Sequence, residues 1–506
     1  MFQNLPLLSL EIWLPILGGI FALMTGDDRR AHTARMIALF TAIICLLLCV
    51  PLYLGYDNNS AAMQFTENQP WIAHYGIDYT LGVDGISLPL IMLTTLTTLV
   101  VVIASWRPIK TQVAQYMAAF LIMQGMMVGV FAALDAVLFY IFWEGMLIPM
   151  YLCIGMWGGA NRNYASIKFF LYTFFGSALM LVALLYMRYY SGSFSILGYW
   201  TLKLSMTEQI WIFLAFLLAF AVKVPMFPFH TWLPDAHTEA PAGGSVVLAA
   251  LMLKMGVYGF LRFSLPITPD ASRMLDWVVI TLSLIAIVYI ALVAIGQKDM
   301  KRLIAYSSIA HMGFATLACF MIYLILNKTG SIQDAYLSLE GSMVQMISHA
   351  FSTGAMFFGV GILYERYASR MIDDFGGIVN SMPHFAAFFM LFCMANVGMP
   401  GTSGFVGEFM IILSAFKASP WIAFFAASTL VLAAAYTLWM YKRVFFGEVT
   451  HEYVNNFDDI KGSETAVMTI LGVMVIALGV YPQPLLNMMH VTVGHLLTIA
   501  NTTKLM

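Results

Sequence analysis

Charge is what this sequence has least of. Lysine, arginine, aspartate and glutamate make up only 10% of its 506 residues, against about 25% in an ordinary soluble domain. That scarcity excludes a water-soluble globular enzyme, and a net charge of −2 offers no electrostatic footprint for nucleic acid. Cysteine is scarce too. Cys45, Cys49, Cys153, Cys319 and Cys393 all fall inside apolar runs and form no CxxC pair, so they read as small packing residues rather than metal or cluster ligands. Nothing basic precedes Arg29, so no secretory signal is evident, and the first apolar run is too long for a signal core. Long polar stretches are missing as well. The largest loop runs from about 56 to 84, which leaves no room for a nucleotide-binding or catalytic module.

What the chain has instead is hydrophobic length. Residues of apolar type make up 61% of it, in runs long enough to cross a hydrocarbon core of about 30 Å. The expected fold is an all-α integral membrane protein of about 14 transmembrane helices. They fall near 5–24, 34–55, 85–105, 112–134, 135–157, 164–188, 209–228, 242–263, 275–296, 300–326, 335–364, 384–416, 421–446 and 464–486. Fifteen of the 24 lysines and arginines collect on one side of this arrangement and seven, Arg262 among them, on the other, leaving Lys223 and Lys254 within spans. The more basic side is expected to face the cytoplasm, with both termini outside.

Two spans carry breaks. In FAVKVPMFPFHTWLPDAH (220–237), Pro225 and Pro228 follow Lys223; in MANVGMPGTSGFVGEFMIL, Gly398, Pro400, Gly401 and Gly404 interrupt the twelfth span. Proline removes a backbone donor and clashes with the preceding turn. Carbonyls freed in this way are tolerated at membrane depth only where protein or trapped water satisfies them. The breaks are five spans apart, which suggests two five-helix repeats of opposite topology. The expected division is an N-terminal three-helix segment (1–110), repeats at 111–264 and 270–446, and a C-terminal helix and tail (447–506).

A charge at a helix centre costs about 2.5–3.5 kcal/mol, yet six titratable residues fall near mid-span on six different helices: Glu144, Lys223, Lys254, His311, His349 and Glu408. Glu144, about nine residues into its span, sits roughly 14 Å deep at 1.5 Å per residue. A Glu144–Lys223 ion pair and carbonyl-bonded histidines would explain two or three of the six as structural glue. They leave an unpaired Lys254, a second carboxylate and two broken helices without a reason, and a proton path accounts for all of them. Burial disfavours the charged form of a lysine and a nearby carboxylate restores it, so the proton affinity of the lysine follows the position of the glutamate. At 4 Å that attraction is about 4 kcal/mol for an effective dielectric of 20. Histidine, titrating near neutral pH, suits the middle of such a path, and Glu408 its end.

The segment HTWLPDAHTEAPAGGS (230–245) holds His230, Asp235, His237 and Glu239 without a lysine or arginine. Metal binding is conceivable there; a structured re-entry loop or proton funnel is the better expectation. GMMVG (125–129) and GMWGG (155–159) have the small-xxx-small spacing of close helix contacts.

The stretches IFWEGMLIPMYL, AVKVPMFPFHTWLPDAHTEAP, DMKRLIAYSSIAHMGF and GMPGTSGFVGEFMI resemble the proton-pumping membrane subunits of NADH:quinone oxidoreductase, respiratory complex I. Those subunits are similar in turn to the large subunits of multi-subunit sodium/proton antiporters. The resemblance covers nearly the whole chain. Within the family it is to the chain-4 (subunit M) branch, because Glu408 stands where the sister subunits L and N typically carry lysine. A short segment after the last span is also unlike the long lateral helix of subunit L. The resemblance implies a proton relay in which Glu144 and Lys223 form the gating pair, Lys254 the centre, His311 and His349 the connecting chain and Glu408 the distal exit. It implies a place in the bacterial inner membrane beside sister antiporter-like subunits and the other membrane and peripheral subunits. NAD, FMN, iron–sulfur clusters and quinone would then be held by partner subunits, with no cofactor or metal on this chain. A sodium/proton antiporter subunit is the alternative. A haem-bearing anchor would need paired histidines on facing helices, whereas His311 and His349 lie singly on separate spans.

Overall fold

The computed structural model describes residues 5–506. Among them, twelve helices are long and apolar enough to cross a membrane, and Leu7–Leu23 and Pro383–Val397 are shorter apolar helices. In chain order the main elements begin with α1 (Leu7–Leu23), α2 (Ala31–Leu54), a hairpin of β1 (Gln64–Ile72) and β2 (Ile77–Val83), α3 (Ser87–Ala104) and α4 (Val113–Ala132). There follow α5 (Ala136–Trp157), α6 (Arg162–Ser191), α7 (Met206–Lys223), α8 (Trp232–Glu239), α9 (Ala242–Ile267) and α10 (Asp276–Ile295). The rest are α11 (Met300–Thr329), α12 (Ile332–Tyr367), α13 (Pro383–Val397), α14 (Ser403–Ala418), α15 (Pro420–Phe445), α16 (Ser463–Val480) and α17 (Gln483–Asn501).

Local chemistry sets where helices begin. Asp135 accepts hydrogen bonds from the N–H groups of Val137 and Leu138 at the head of α5, Asp299 from Lys301 and Arg302 at the head of α11, and Ser205 with Glu208 forms a reciprocal capping box on α7. The loop expected near 56–84 is an antiparallel hairpin. Its Glu67 reaches across to the first N–H groups of α1, 2.8 Å from Leu8 N, supplying the cap that Pro6 cannot.

The most apolar stretches of α9 and α12 are wholly buried and that of α11 nearly so, whereas those of α2, α15 and α16 are only about a third buried. Side chains such as Phe21, Leu47, Val182, Trp211, Phe424 and Val431 form an apolar exterior, as expected where hydrocarbon rather than water is the solvent. Small residues let backbones close up: Gly125 of α4 faces the Ile12 carbonyl and Ile16 of α1.

Both breaks are present, and each frees backbone groups that find partners. After Lys223, Met226 N bonds to Ala221 O, and the Val222 carbonyl accepts the indole N–H of Trp232 at 2.8 Å. Between α13 and α14, Gly398 and Gly401 take φ of 79° and 89°, a region closed to residues with a Cβ except under strain.

Three features differ from the sequence reading. Arg262, counted with the outer loops, is enclosed within α9 and pairs with Asp84 at 2.7 Å. The last span ends at Val480, not near 486, and the chain turns at Tyr481–Pro482 into α17. This last helix buries Met488, Met489, Val493 and Leu497 and leaves His490, His495 and Thr498 exposed. Finally, α9 contains π-helical turns at Leu248–Met252 and Phe260–Ser264, and α10 one at Ala286–Ile290.

Candidate functional site

Lys223 is the last residue of α7, placed there because Pro225 stops the helix. Its side chain is enclosed, and Nζ has no hydrogen-bonding partner among the described residues. It stands over the Trp143 ring, 5.2 Å from the centroid, a cation–π contact worth up to about 2 kcal/mol when desolvated. Glu144 follows Trp143 on α5 but turns the other way, its carboxylate accepting the hydroxyl of Ser177 on α6. Glu144 and Lys223, expected to pair, make no ion pair within 4 Å: Lys223 lies against Trp143 of α5, and Glu144 is bonded to Ser177 of α6.

Lys254 lies on α9 immediately after the first π-helical turn, and Nζ reaches back to the Ala249 carbonyl at 2.5 Å. Its other contact corrects the sequence reading, which left it unpaired: Nδ1 of His349 on α12 is 2.7 Å away. The His349 and His311 rings are 6.0 Å apart, centroid to centroid. Nδ1 of His311, on α11, is 3.1 Å from Oε1 of Glu408, on α14. Glu408 sits where the break brings Gly398 against its carboxylate. Lys254, His349, His311 and Glu408 thus line up as a buried run from four helices: two close pairs with the histidine rings 6.0 Å apart between them. Gly256 of α9 faces the backbone of Val224 and Phe220, so the Lys223 end of α7 lies beside the Lys254 end of the run. Glu144 lies beyond Lys223, only partly exposed.

Two of these residues are histidines with distinct ring nitrogens, and an imidazole can take a proton on one nitrogen and release it from the other. The sequence did not reveal their helpers: the Ala249 carbonyl, Ser177, Gln345 (Nε2 3.4 Å from His311 Nδ1) and Tyr436 (hydroxyl 3.4 Å from His311 Nε2). A serine or tyrosine in an apolar span carries no signal of its own.

The segment 230–245 is a buried helix, α8, followed by the head of α9. Asp235 pairs with Lys168 at 2.7 Å and Arg302 at 2.8 Å, and Lys301 donates to the Ala240 carbonyl at 2.7 Å. A cavity of about 560 Å³ opens here, lined by Asp235, Glu239, Asp299, Lys298, Arg302 and Arg370 among others. His237 is completely buried, stacked on Phe357 with centroids 4.4 Å apart. Among the described residues no three of His, Cys, Asp or Glu converge as a metal site.

Two family models match the chain. One, described as NADH-ubiquinone oxidoreductase chain 4, amino terminus, covers residues 9–132. The other, described as NADH:quinone oxidoreductase/Mrp antiporter, TM, covers 133–434. The chain is 46% identical to NADH-quinone oxidoreductase subunit M of Rhodobacter capsulatus, across 98% of this chain and 96% of that one. It is 40% identical to NADH-ubiquinone oxidoreductase chain 4 of Chondrus crispus, across 99% of both. A chain of respiratory complex I from Thermus thermophilus superposes with a TM-score of 0.87 at 30% identity, covering 98% of this chain and all of that one. The fold also matches a chain of the Mrp complex from Dietzia (TM-score 0.81, 20% identity), covering 96% of this chain and 52% of that one. With this coverage, identity and fold, the chain belongs to the NADH:quinone oxidoreductase/Mrp antiporter family of membrane subunits, in its chain-4, or subunit M, branch.

Proposed function

We propose that the protein is the antiporter-like, proton-translocating membrane subunit of an NADH:quinone oxidoreductase, seated among sister antiporter-like subunits in a bacterial inner membrane. NAD, FMN, iron–sulfur clusters and quinone would belong to partner subunits, and electrons would pass from NADH to quinone there. This chain's part is to convert their turnover into proton transfer. The single observation that carries the reading is the buried run Lys254–His349–His311–Glu408, with Glu144 and Lys223 parted at its other end.

When Glu144 approaches Lys223, the lysine keeps its proton; when it swings back to Ser177, the uncompensated charge favours release towards Lys254. Lys254 passes a proton to Nδ1 of His349, and His311 relays one to Glu408 at the break between α13 and α14. The polar cavity beside Asp235 and Glu239 suits a cytoplasmic inlet, in keeping with the basic residues on that side and with both termini on the outer side. The breaks support two five-helix repeats of opposite topology, with boundaries at 111–264 and 270–446.

The test is Lys223→Ala in the assembled complex. Reduction of artificial acceptors by NADH should continue, and proton pumping linked to quinone reduction should fall at least about tenfold, the equivalent of 1.4 kcal/mol on the transfer barrier. Unchanged pumping would refute the relay.

A further inference from the structure

His311 is held from both ring nitrogens by the two arms of the broken helix. On one side stands Glu408 of α14, 3.1 Å from Nδ1. On the other is a chain of hydrogen bonds that begins on α13. Asn396, in the last turn before the break, donates from Nδ2 to Thr437 Oγ1 at 3.0 Å and to Ser307 Oγ at 3.1 Å. Ser307, one turn before His311 on α11, donates its hydroxyl to Tyr436 at 3.0 Å. The Tyr436 hydroxyl is 3.4 Å from Nε2 of His311. Asn396, Ser307, Thr437, Tyr436, His311 and Glu408 are each no more than 3% exposed.

Counting hydrogens gives the chain a direction. Both amide hydrogens of Asn396 are spent on the two hydroxyl oxygens. The one hydrogen of Ser307 is spent on the Tyr436 oxygen, so the hydrogen of Tyr436 is left to point at Nε2. A neutral imidazole that accepts at Nε2 carries its proton on Nδ1, the nitrogen facing Glu408. The other groups around the ring are His349 and Gln345 on α12. Gln345 Nε2, 3.4 Å from Nδ1, asks that nitrogen to accept instead. Turned end for end, that amide presents its Oε1, which has no partner among the described residues, to a proton on Nδ1.

We propose that Tyr436, oriented by Asn396 through Ser307, is a positioning residue that sets the tautomer of His311, keeping its proton on the side of Glu408 and its other nitrogen free to receive the next. This rests on the relay reading above and adds to it a dependence on the α13 arm. A shift of α13 relative to α14 would loosen Asn396 and release the tautomer at the moment Glu408 moves.

The experiment compares Tyr436→Phe, Ser307→Ala and Asn396→Asp with His311→Ala in the assembled complex, reading quinone-linked proton pumping against pH. NADH oxidation with an artificial acceptor serves as the check on assembly. Tyr436→Phe and Ser307→Ala should lower pumping by about twofold to tenfold, the range set by one net hydrogen bond, and displace the pH profile. Asn396→Asp removes no hydroxyl but turns both partners round, since a carboxylate only accepts; it should displace the profile in the same way. Three variants with wild-type rates and an unmoved profile, beside a dead His311→Ala, would overturn this proposal alone. A fully active His311→Ala would overturn the relay itself. Should Tyr436→Phe fail to assemble, Ser307→Ala and Asn396→Asp decide the matter, since neither alters an aromatic ring.

Discussion

Nζ of Lys254 and Nδ1 of His349 lie 2.7 Å apart in the most enclosed part of the molecule, where α9 and α12 are buried on every face. The contact joins residues 95 positions apart in sequence and makes two costly polar groups satisfy one another. His349→Leu should leave Lys254 with only the Ala249 carbonyl. An orphaned buried group costs about 1–3 kcal/mol, so thermal stability of the assembled complex should drop by that order and proton pumping should be lost with it.

Trp232 closes the break after Lys223 by donating its indole N–H to the Val222 carbonyl. Trp232→Phe removes that donor and keeps an aromatic ring. The freed carbonyl should cost about 1–3 kcal/mol, read as a lowered melting temperature. Wild-type stability would show that water serves the carbonyl equally well.

Asp84 and Arg262 form a buried pair, and Asp84 also accepts the N–H groups of Ile86 and Ser87, each at 3.0 Å, at the head of α3. Arg262→Met alone leaves a buried carboxylate and should destabilise by about 3–5 kcal/mol. Replacing both, as Arg262→Met with Asp84→Asn, should recover part of the loss. A double-mutant cycle on thermal stability measures the coupling, and additive losses would show that the pair does not act as a unit.

Outside the membrane, Asp459 caps α13. Its carboxylate accepts from the backbone of His384 at 2.9 Å, Phe385 at 3.1 Å and Ile460 at 2.7 Å. Burial by itself would raise its pKa, but these donors hold it below the ordinary 3.8. A carboxylate depressed in the folded state adds stability that is complete above its unfolded value, about 4, and is lost as pH falls through the folded one. Hydrogen exchange at His384 and Phe385 should therefore quicken in acid below about pH 4. In Asp459→Asn it should be fast already at neutral pH and show no such acid limb.

Much of the site was legible because burying a charge is expensive wherever it occurs. Glu144, Lys223, Lys254, His311, His349 and Glu408 stand out of their apolar runs without any knowledge of the fold, and the prolines and glycines mark both breaks. Partnerships were not legible. The spacing of residues along α9 does not say which way Lys254 points, and a π-helical turn, which leaves no mark in the sequence, resets that rotation. Arg262 sits near the hydropathic edge of its span, where a loop charge and a buried one look alike in sequence; its partner Asp84 is 178 positions away. Nor did composition separate the residues of α17 from the preceding span, because an amphipathic helix and the end of a membrane helix are both half apolar.

By itself the sequence determined the class of fold, the approximate course of the chain through the bilayer and the titratable groups within it. Each of these follows from a local cost: apolar length against bilayer thickness, or one charge against hydrocarbon. Only the tertiary structure decided that Lys254 meets His349, that Glu144 and Lys223 stand apart, and that Asn396 and Glu408 hold His311 from opposite sides. Those relationships depend on how each helix is turned about its own axis, and that is set by packing against distant segments.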